Sequence, residues 1–526
     1  MPRAEAVAVR DGRVLHSGTY ADVARDLAGT GAVTDDSFID SVIVPGFIEA
    51  HCHIFGEAAL AQQPWVGSYD RAAVGGGVQT GCTDVQAALR RIAEAHAALA
   101  DPNEVLLCMG WDPSMVGETP LTGAMLDSVS EHRPIFVMHA SLHIGVGNSA
   151  MMRRAGVTAD TDVHGVMKHG DGTPNGELRE NALALVLGAH VRIGGPESIR
   201  AAGVVARQAG CTTVTDLAFA ATQGMVDSHG AVVNGDDFET RVVYAPSYPI
   251  LNARLGEAAF DHIVGLSTSG SGKFRMGPVK FLIDGSIQGR TARMNWPGYC
   301  CGDPNGMWVF DPDEIFELML PYHRAGLQIA LHTNGDEAVD RGIDAFERLL
   351  TVHPRFDHRH RLEHAQLATD EAFRRMKALG MCVNLFANHV YYWGETHRKD
   401  TAGPARARKL DACGTALRLG VPFSIHCDAP VTPLSPLFTM WCAVNRITSA
   451  GHSLGETEKI GAEDALRAMT IDAAYLLKTD GSTGSIESGK FADFTVLSDD
   501  PTTCDPMGIK DIDVRATVLS GTVHAN

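Results

Sequence analysis

Val42-Ile43-Val44-Pro45-Gly46-Phe47-Ile48-Glu49-Ala50-His51-Cys52-His53 is the stretch that decides how this chain is read. It opens with the β-branched run of a buried parallel strand. It closes on two imidazoles one residue apart. Side chains alternate along a strand, so His51 and His53 share a face while Cys52 points away. Two neutral imidazoles converging at a strand end can grip a divalent metal such as zinc, iron, nickel or copper. An H-x-H by itself is read equally well as two surface histidines, so the weight falls on what the rest of the chain adds.

Working outward, apolar strand candidates recur at 211–217, 241–245, 278–283, 327–332, 360–364, 381–386 and 421–428. Helical patterns such as 337–350 and 370–379 separate most of them. Together with 42–50 they make eight strands alternating with helices, which predicts an α/β chain built on a (β/α)8 TIM-type barrel. The stretch 55–200 is too long for a loop and reads as an inserted subdomain. It carries a Gly75-Gly76-Gly77 break, a helical pattern over 85–99 and the strand-like run 134–138. Short strands flank the Asp11-Gly12 hairpin signal, and others return in 491–497 and 514–519. The expected division is a small β-sandwich domain from both chain ends (1–41 and 481–526), a barrel (42–54 and 201–480) and the insertion (55–200).

Length fits this division, since 526 residues exceed one ordinary core. A composition of 45% hydrophobic and 20% charged residues is that of a globular protein. The net charge of −19 argues against nucleic acid or an anionic membrane as partner but selects no substrate; the partner expected is a small-molecule substrate. The opening residues lack the apolar core of a signal peptide, and no run of 18 apolar residues occurs. Eleven cysteines without C-x-x-C spacing indicate neither a disulfide framework nor a cysteine zinc site, so the cytoplasm is the expected compartment. A homodimer is the assembly considered.

The chemistry-bearing residues gather at strand ends, where a barrel places its active site. His51 and His53 follow the first strand and Lys280 lies within the fourth. His332 closes the fifth, His364 the sixth and Asp428 the eighth. Lys280 is an odd ligand, because an ammonium repels a cation. A buried lysine of lowered pKa can instead take up carbon dioxide as a carbamate, an anionic ligand; the alternative is a surface or substrate-binding lysine. His389, Trp393 and His426 are placed on loops near the metals, where a neutral imidazole could stabilise an oxyanion, with packing as the equal alternative. His143 with Asn148, and Gln288 with Arg290, are pocket-shaping candidates for which a purely structural role is the other reading. Cys52 and Cys427 read as buried filler.

The order H-x-H, Lys, His, His, Asp resembles the amidohydrolase superfamily. Val279-Lys280 with Asp284-Gly285-Ser286, His332-Thr333-Asn334-Gly335-Asp336, Glu363-His364-Ala365, Asn388-His389-Val390-Tyr391-Tyr392-Trp393-Gly394-Glu395 and His426-Cys427-Asp428-Ala429-Pro430-Val431 are similar to its N-substituted formamide deformylase-like branch. Gly484-Ser485-Ile486-Glu487-Ser488-Gly489-Lys490-Phe491-Ala492-Asp493 resembles the superfamily's return to its β domain. Relatives of this kind carry one more strand before the part matching residues 4–15, so a trimmed β domain or a different start is expected. The resemblance implies one metal on His51, His53 and Asp428, a second on His332 and His364, and a carboxylated Lys280 bridging them. One or two divalent metals per chain, zinc in the first instance, would activate a water, and Asp428 would shuttle its proton; the other reading makes Asp428 a ligand only. The implied reaction is hydrolysis of a non-peptide C–N bond, in an N-substituted formamide, an N-acyl compound or a cyclic amide. Ester or lactone hydrolysis, deamination or a lyase reaction at the same metals is the alternative, and a non-catalytic metal-binding protein the third.

Overall fold

The run 42–53 proves to be two strands rather than one. Val42–Pro45 pairs antiparallel with Phe494–Leu497, whereas Phe47–Glu49 pairs parallel with Cys211–Phe219. The switch falls at Gly46, where any β-carbon would collide with the side chain of Thr212. The absence of a side chain lets the chain pass from one sheet to the other in a single residue. This corrects the expected strand over 42–50, whose first half belongs with the chain's end. The computed structural model describes residues 3–72, 77–115, 119–187 and 195–526; Gly75 and Gly76 of the expected break lie outside the described residues.

The parallel strands are labelled in chain order: β1 (Phe47–Glu49), β2 (Cys211–Phe219), β3 (Arg241–Pro246), β4 (Val279–Leu282), β5 (Ile329–Thr333), β6 (Arg361–His364), β7 (Cys382–Leu385) and β8 (Phe423–Ile425). One sheet runs Phe274–Met276, β3, β2, β1, and the other runs β4 to β8 in sequence order. Phe274–Met276 and β4 are two pieces of one extended run broken at Gly277-Pro278, where proline has no N–H to give a ladder. Ser247 bridges Lys280 in parallel across that break, so the second sheet continues the first. At the other side, Ile48 N–H donates to Met469 O at 2.8 Å and His53 N–H to Ala429 O at 2.7 Å. Each of the eight expected positions therefore holds a strand. Helices between them bury one face each: Asp336–Val352 turns Phe346 and Leu349 inward, and Asp370–Ala378, capped by Thr369, turns Phe373 and Met376 inward.

The 55–200 region contains its own sheet, in the order Val166–Lys168, Pro174–Arg179, Ile144–Gly147, Ile135–His139, Leu106–Trp111. Alternation along Ile135–His139 sends Phe136 and Met138 to one apolar cluster, and Ile135 and Val137 to another that also holds Ile92 of the helix Val85–Ala98.

At the chain ends, Ala6–Arg10 and Arg13–Gly18 form a hairpin whose turn residues Asp11 and Gly12 both have positive φ (52° and 75°). Val14 of this hairpin shares an apolar cluster with Phe494, Val496, Ala516 and Val518 of the sheet Thr522–Ala525, Val514–Leu519, Phe494–Leu497, Val42–Pro45. Arg241 at the start of β3 ties this part to the parallel strands. It donates to both carboxylate oxygens of Asp493 (2.7 and 3.2 Å) and lies 3.8 Å from the centre of the Phe491 ring. Among the described residues no helix is long and apolar enough to cross a membrane.

Candidate metal centre

The site begins where β1 ends. His51 is fully buried, and its Nδ1 lies 2.7 Å from Glu363 Oε2 on β6. Burial opposes the Glu363 charge, but Arg361 and His51 beside it outweigh burial and hold the carboxyl well below the usual carboxylate range. Arg361 Nε donates to Glu363 Oε1 at 2.5 Å and Asn384 Nδ2 donates to Oε2 at 3.1 Å. An ionised carboxylate only accepts, so His51 carries its proton on Nδ1 and turns the Nε2 lone pair inward. There Nε2 meets Asp428 Oδ1 at 3.2 Å, and His53 Nε2 meets the same oxygen at 3.3 Å. Arg361 also donates to Leu476 O at 2.8 Å, which anchors the orienting pair to the end of the helix Ile471–Leu476.

His332, at the end of β5, and His364, at the end of β6, approach each other with Nδ1 and Nε2 3.1 Å apart. The register sets this, since His332 pairs with Glu363 and Thr333 with His364. His364 Nδ1 lies 3.8 Å from Asp428 Oδ2. Burial pushes His332, His364 and His426 well below the usual histidine range, so their rings are neutral. His426 stacks on His51 at 4.5 Å between ring centres. Both His364 and Asp428 have left-handed backbone (φ 65° and 53°), which costs a residue with a β-carbon about 1–3 kcal/mol and is found where surroundings enforce it.

What these groups lack is partners. His51 Nε2, His364 Nδ1, both nitrogens of His426 and Asp428 Oδ1 are buried without a hydrogen bond among the described residues. Five orphaned polar atoms in one place are a costly arrangement for a protein alone. Two groups of three, His51–His53–Asp428 and His51–His364–His426, each offer ligand atoms within 4.8 Å of one another. Imidazole and carboxylate are the donors that zinc takes, so the residues present fit a divalent transition metal. Lys280 is 2% exposed, and burial pushes its ammonium down to about 8 against the pull of Glu363 and Asp428.

The remaining candidates divide. His143 is drawn in: its ring lies 5.1 Å from that of His332, and its Nδ1 is 2.8 Å from Glu180 Oε2. His389 is buried on the helix His389–Thr396, 3.5 Å from Asp411 and 3.9 Å between ring centres from Phe386, which in turn stacks on His426. Trp393 is fully buried, and its N–H donates to Asp112 of the 55–200 region at 2.7 Å. Gln288 is buried, while Arg290 is half-buried in ion pairs with Asp303 and Asp400. Asn148 caps the helix Ser149–Arg154 and holds the 130–135 turn. Cys52 points away from the site, its Sγ 3.0 Å from Thr215 O, and Cys427 is buried.

Sequence reasoning assigned no role to Glu363, Arg361, Asp112 or Glu180. Glu363 alternates with His364 on the strand and so faces another ligand, a signal that was present but needed the β1–β6 contact to mean anything. Asp284 was quoted only as motif. It accepts from the backbone N–H of Arg293, Asn334 and Gly335 at 2.9–3.0 Å, fixing the loop in which Gly285 O meets His332 Nε2 at 3.2 Å.

The model of the amidohydrolase family (Amidohydro_3) matches residues 40–525. The chain is 27% identical to the putative amidohydrolase YtcJ of Bacillus subtilis, over 99% of this chain and 96% of that one. It is 27% identical to the N-substituted formamide deformylase of Arthrobacter pascens, over 99% and 95%. Its fold is like that of an uncharacterised metal-dependent hydrolase from Pyrococcus horikoshii OT3, with a TM-score of 0.73 at 18% identity, covering 95% of this chain and 94% of that one. With imidazoles and a carboxylate gathered at the strand ends and a family match spanning nearly every residue, the chain belongs to the amidohydrolase family, hydrolases of carbon–nitrogen bonds other than peptide bonds.

Proposed function

We propose that the chain hydrolyses an uncharged non-peptide amide, an N-substituted formamide or N-acyl amine, at a site holding one or two divalent metals, zinc in the first instance. The observation that carries this is the gathering of unpartnered His51, His364 and His426 nitrogens beside the His51–His53–Asp428 group, with His51 common to both. His51, His53 and Asp428 would hold one metal, and His332 with His364 the second. Bound there, a divalent cation lowers the pKa of a water and polarises a carbonyl. Lys280 supports the two-metal reading: pushed down to about 8, a fraction of it is the free amine that adds to carbon dioxide, and the resulting carbamate is anionic.

The chain's own groups do the rest. Glu363 keeps the His51 proton on Nδ1, so that Nε2 stays free as a donor of electrons. Asp428 takes the proton of the attacking water on a carboxylate oxygen and delivers it to the leaving nitrogen, which departs as a neutral amine. His426, whose ring is neutral, and His389, which meets it through the Phe386 ring, are the groups proposed to stabilise negative charge on the carbonyl oxygen.

The architecture proposed for this chemistry is a closed eight-stranded barrel, with the segment after β8 meeting the end of β1 through the His53–Ala429 contact. It carries the 55–200 insertion and a small domain made by both chain ends. A cytoplasmic location is proposed because the eleven cysteines are all unbridged among the described residues. Elemental analysis of active protein, followed by chelation and by pH-stat assay on amides, esters and lactones, tests the reading. Metal at one to two equivalents and amide turnover lost on chelation is the expected result. Metal-free active protein, or turnover of esters alone, overturns it.

A further inference from the structure

A cavity of about 240 Å3 lies between the sheet of the 55–200 region and the loop that follows β4. Trp111, Leu121, Val137, Ile144 and Val146 give it an apolar wall. It adjoins the metal centre at two points. Ile144 follows His143, whose ring lies 5.1 Å from that of His332, and Gln288 lies three residues after Gly285, whose O meets His332 Nε2. Its charges are already paired: Arg179 Nε donates to Glu177 Oε1 at 2.5 Å, and Arg290 to Asp400 and Asp303 at 2.6 and 2.9 Å. Two polar atoms in the wall are not paired. Trp111 Nε1 and Gln288 Oε1 are buried without a hydrogen-bond partner among the described residues, in side chains 3% and 8% exposed.

Buried polar atoms in native proteins are nearly always satisfied, so an orphaned donor and an orphaned acceptor in one apolar cavity call for a ligand supplying both counterparts. A dry cavity of about 150 Å3 holds a benzene ring, so this one has room for a ring and a substituent. With each arginine opposed by at least one carboxylate, no free arginine or lysine among the described lining residues awaits an anionic group. Resting on the amide-hydrolase reading, we propose that this cavity is the specificity pocket for the part of the substrate that is not cleaved. It takes an uncharged aryl-sized group bearing one hydroxyl or amide that accepts from Trp111 and donates to Gln288. This separates the protein from hydrolases of N-acyl amino acids, whose carboxylate would be buried here unpaired.

The test uses zinc-loaded full-length protein and four formamides bearing N-methyl, N-phenyl, N-(meta-hydroxyphenyl) and N-(meta-carboxyphenyl) groups, with the matching amines as non-hydrolysable probes. By calorimetry the hydroxyphenyl amine should bind about tenfold tighter than the phenyl amine, one hydrogen bond's worth, and the carboxyphenyl amine at least about tenfold weaker. Leu121→Trp, which fills the cavity, should lower the ratio of kcat/KM for phenyl over methyl by about tenfold or more. Gln288→Leu should erase the hydroxyphenyl advantage. The ratio is the readout because a misfolded variant loses both rates together. Binding without turnover of any amide would leave the pocket standing and defeat the hydrolase reading. Equal binding of all probes by the native protein, tightest binding of the carboxyphenyl amine, or an unchanged ratio in Leu121→Trp overturns the pocket.

Discussion

The metal centre and the insertion cavity are built on opposite plans. The candidate centre draws its groups from the ends of four parallel strands, β1, β5, β6 and β8, and His51 among them is fixed from behind by Glu363 and Arg361. The cavity draws its walls from a mixed sheet and from loops, and two of its polar atoms are left open. Chemistry common to a family needs the first plan, because a misplaced ligand costs the reaction itself. Selectivity needs the second, because loops and insertions can change without disturbing the strand ends.

The largest effect should come from the centre. Asp428→Asn keeps the shape and an oxygen but cannot take up a proton, so kcat should fall by about 10²–10⁴-fold. Elemental analysis should show metal retained on His332 and His364. Near-native kcat with metal in place would send the proton by another route, and His426 would be the next residue to replace.

One layer out, Glu363→Gln leaves the His51 ring without an obligate acceptor. Metal affinity or activity should drop by about 10–100-fold, as for other carboxylates behind a ligating histidine. Competition with a chromogenic chelator measures it. An unchanged affinity would mean that the His51 tautomer does not matter, and the contrast between supported and open sites would weaken.

The link between the two regions should matter less. Trp393→Phe removes the N–H from buried Asp112, which keeps Ser114 as a donor. A loss of about 1–3 kcal/mol in unfolding free energy is expected, with kcat barely moved. A kcat loss as large as that of Asp428→Asn would place Trp393 against the substrate instead.

The smallest test concerns Glu49, which ends β1 two residues before His51. Burial raises Glu49 to about 8, so the folded chain holds it protonated where the unfolded chain, with the ordinary value near 4.5, has released the proton. Stability attributable to this group therefore falls as pH rises from about 4.5 to about 8 and is level above that. Glu49→Gln removes the dependence, and its melting temperature relative to the native protein should climb by a few degrees between pH 5 and pH 8. A difference that stays flat with pH would show Glu49 ionised in the fold.

Much of this contrast was legible in the sequence, and for a physical reason. Strand-end histidines fall at the close of apolar runs, so His51, His53, His332 and His364 could be picked out by position, as could Asp428. What pairs across the fold could not. Nothing near Gly46 announces that Thr212 will press against it, so one strand was read where two exist. Glu363 was visible beside His364, yet its role depends on His51, 312 residues away. Trp393 falls in a motif beside the ligand candidates, but its hydrogen-bond partner Asp112 is 281 residues distant. The cavity was least legible of all, because it is a gap between segments, and no periodicity encodes a gap.

The bond from Arg361 to Leu476 O carries a consequence for anyone reading variants of this gene. The helix Ile471–Leu476 holds no proposed ligand, and a lesion there would be filed as a folding defect. Through Arg361 and Glu363 it ends on His51, so, on the proposed metal reading, its outward sign would be loss of that metal. Cells carrying such a lesion should then regain activity when grown on extra metal, whereas cells lacking His51 itself should not.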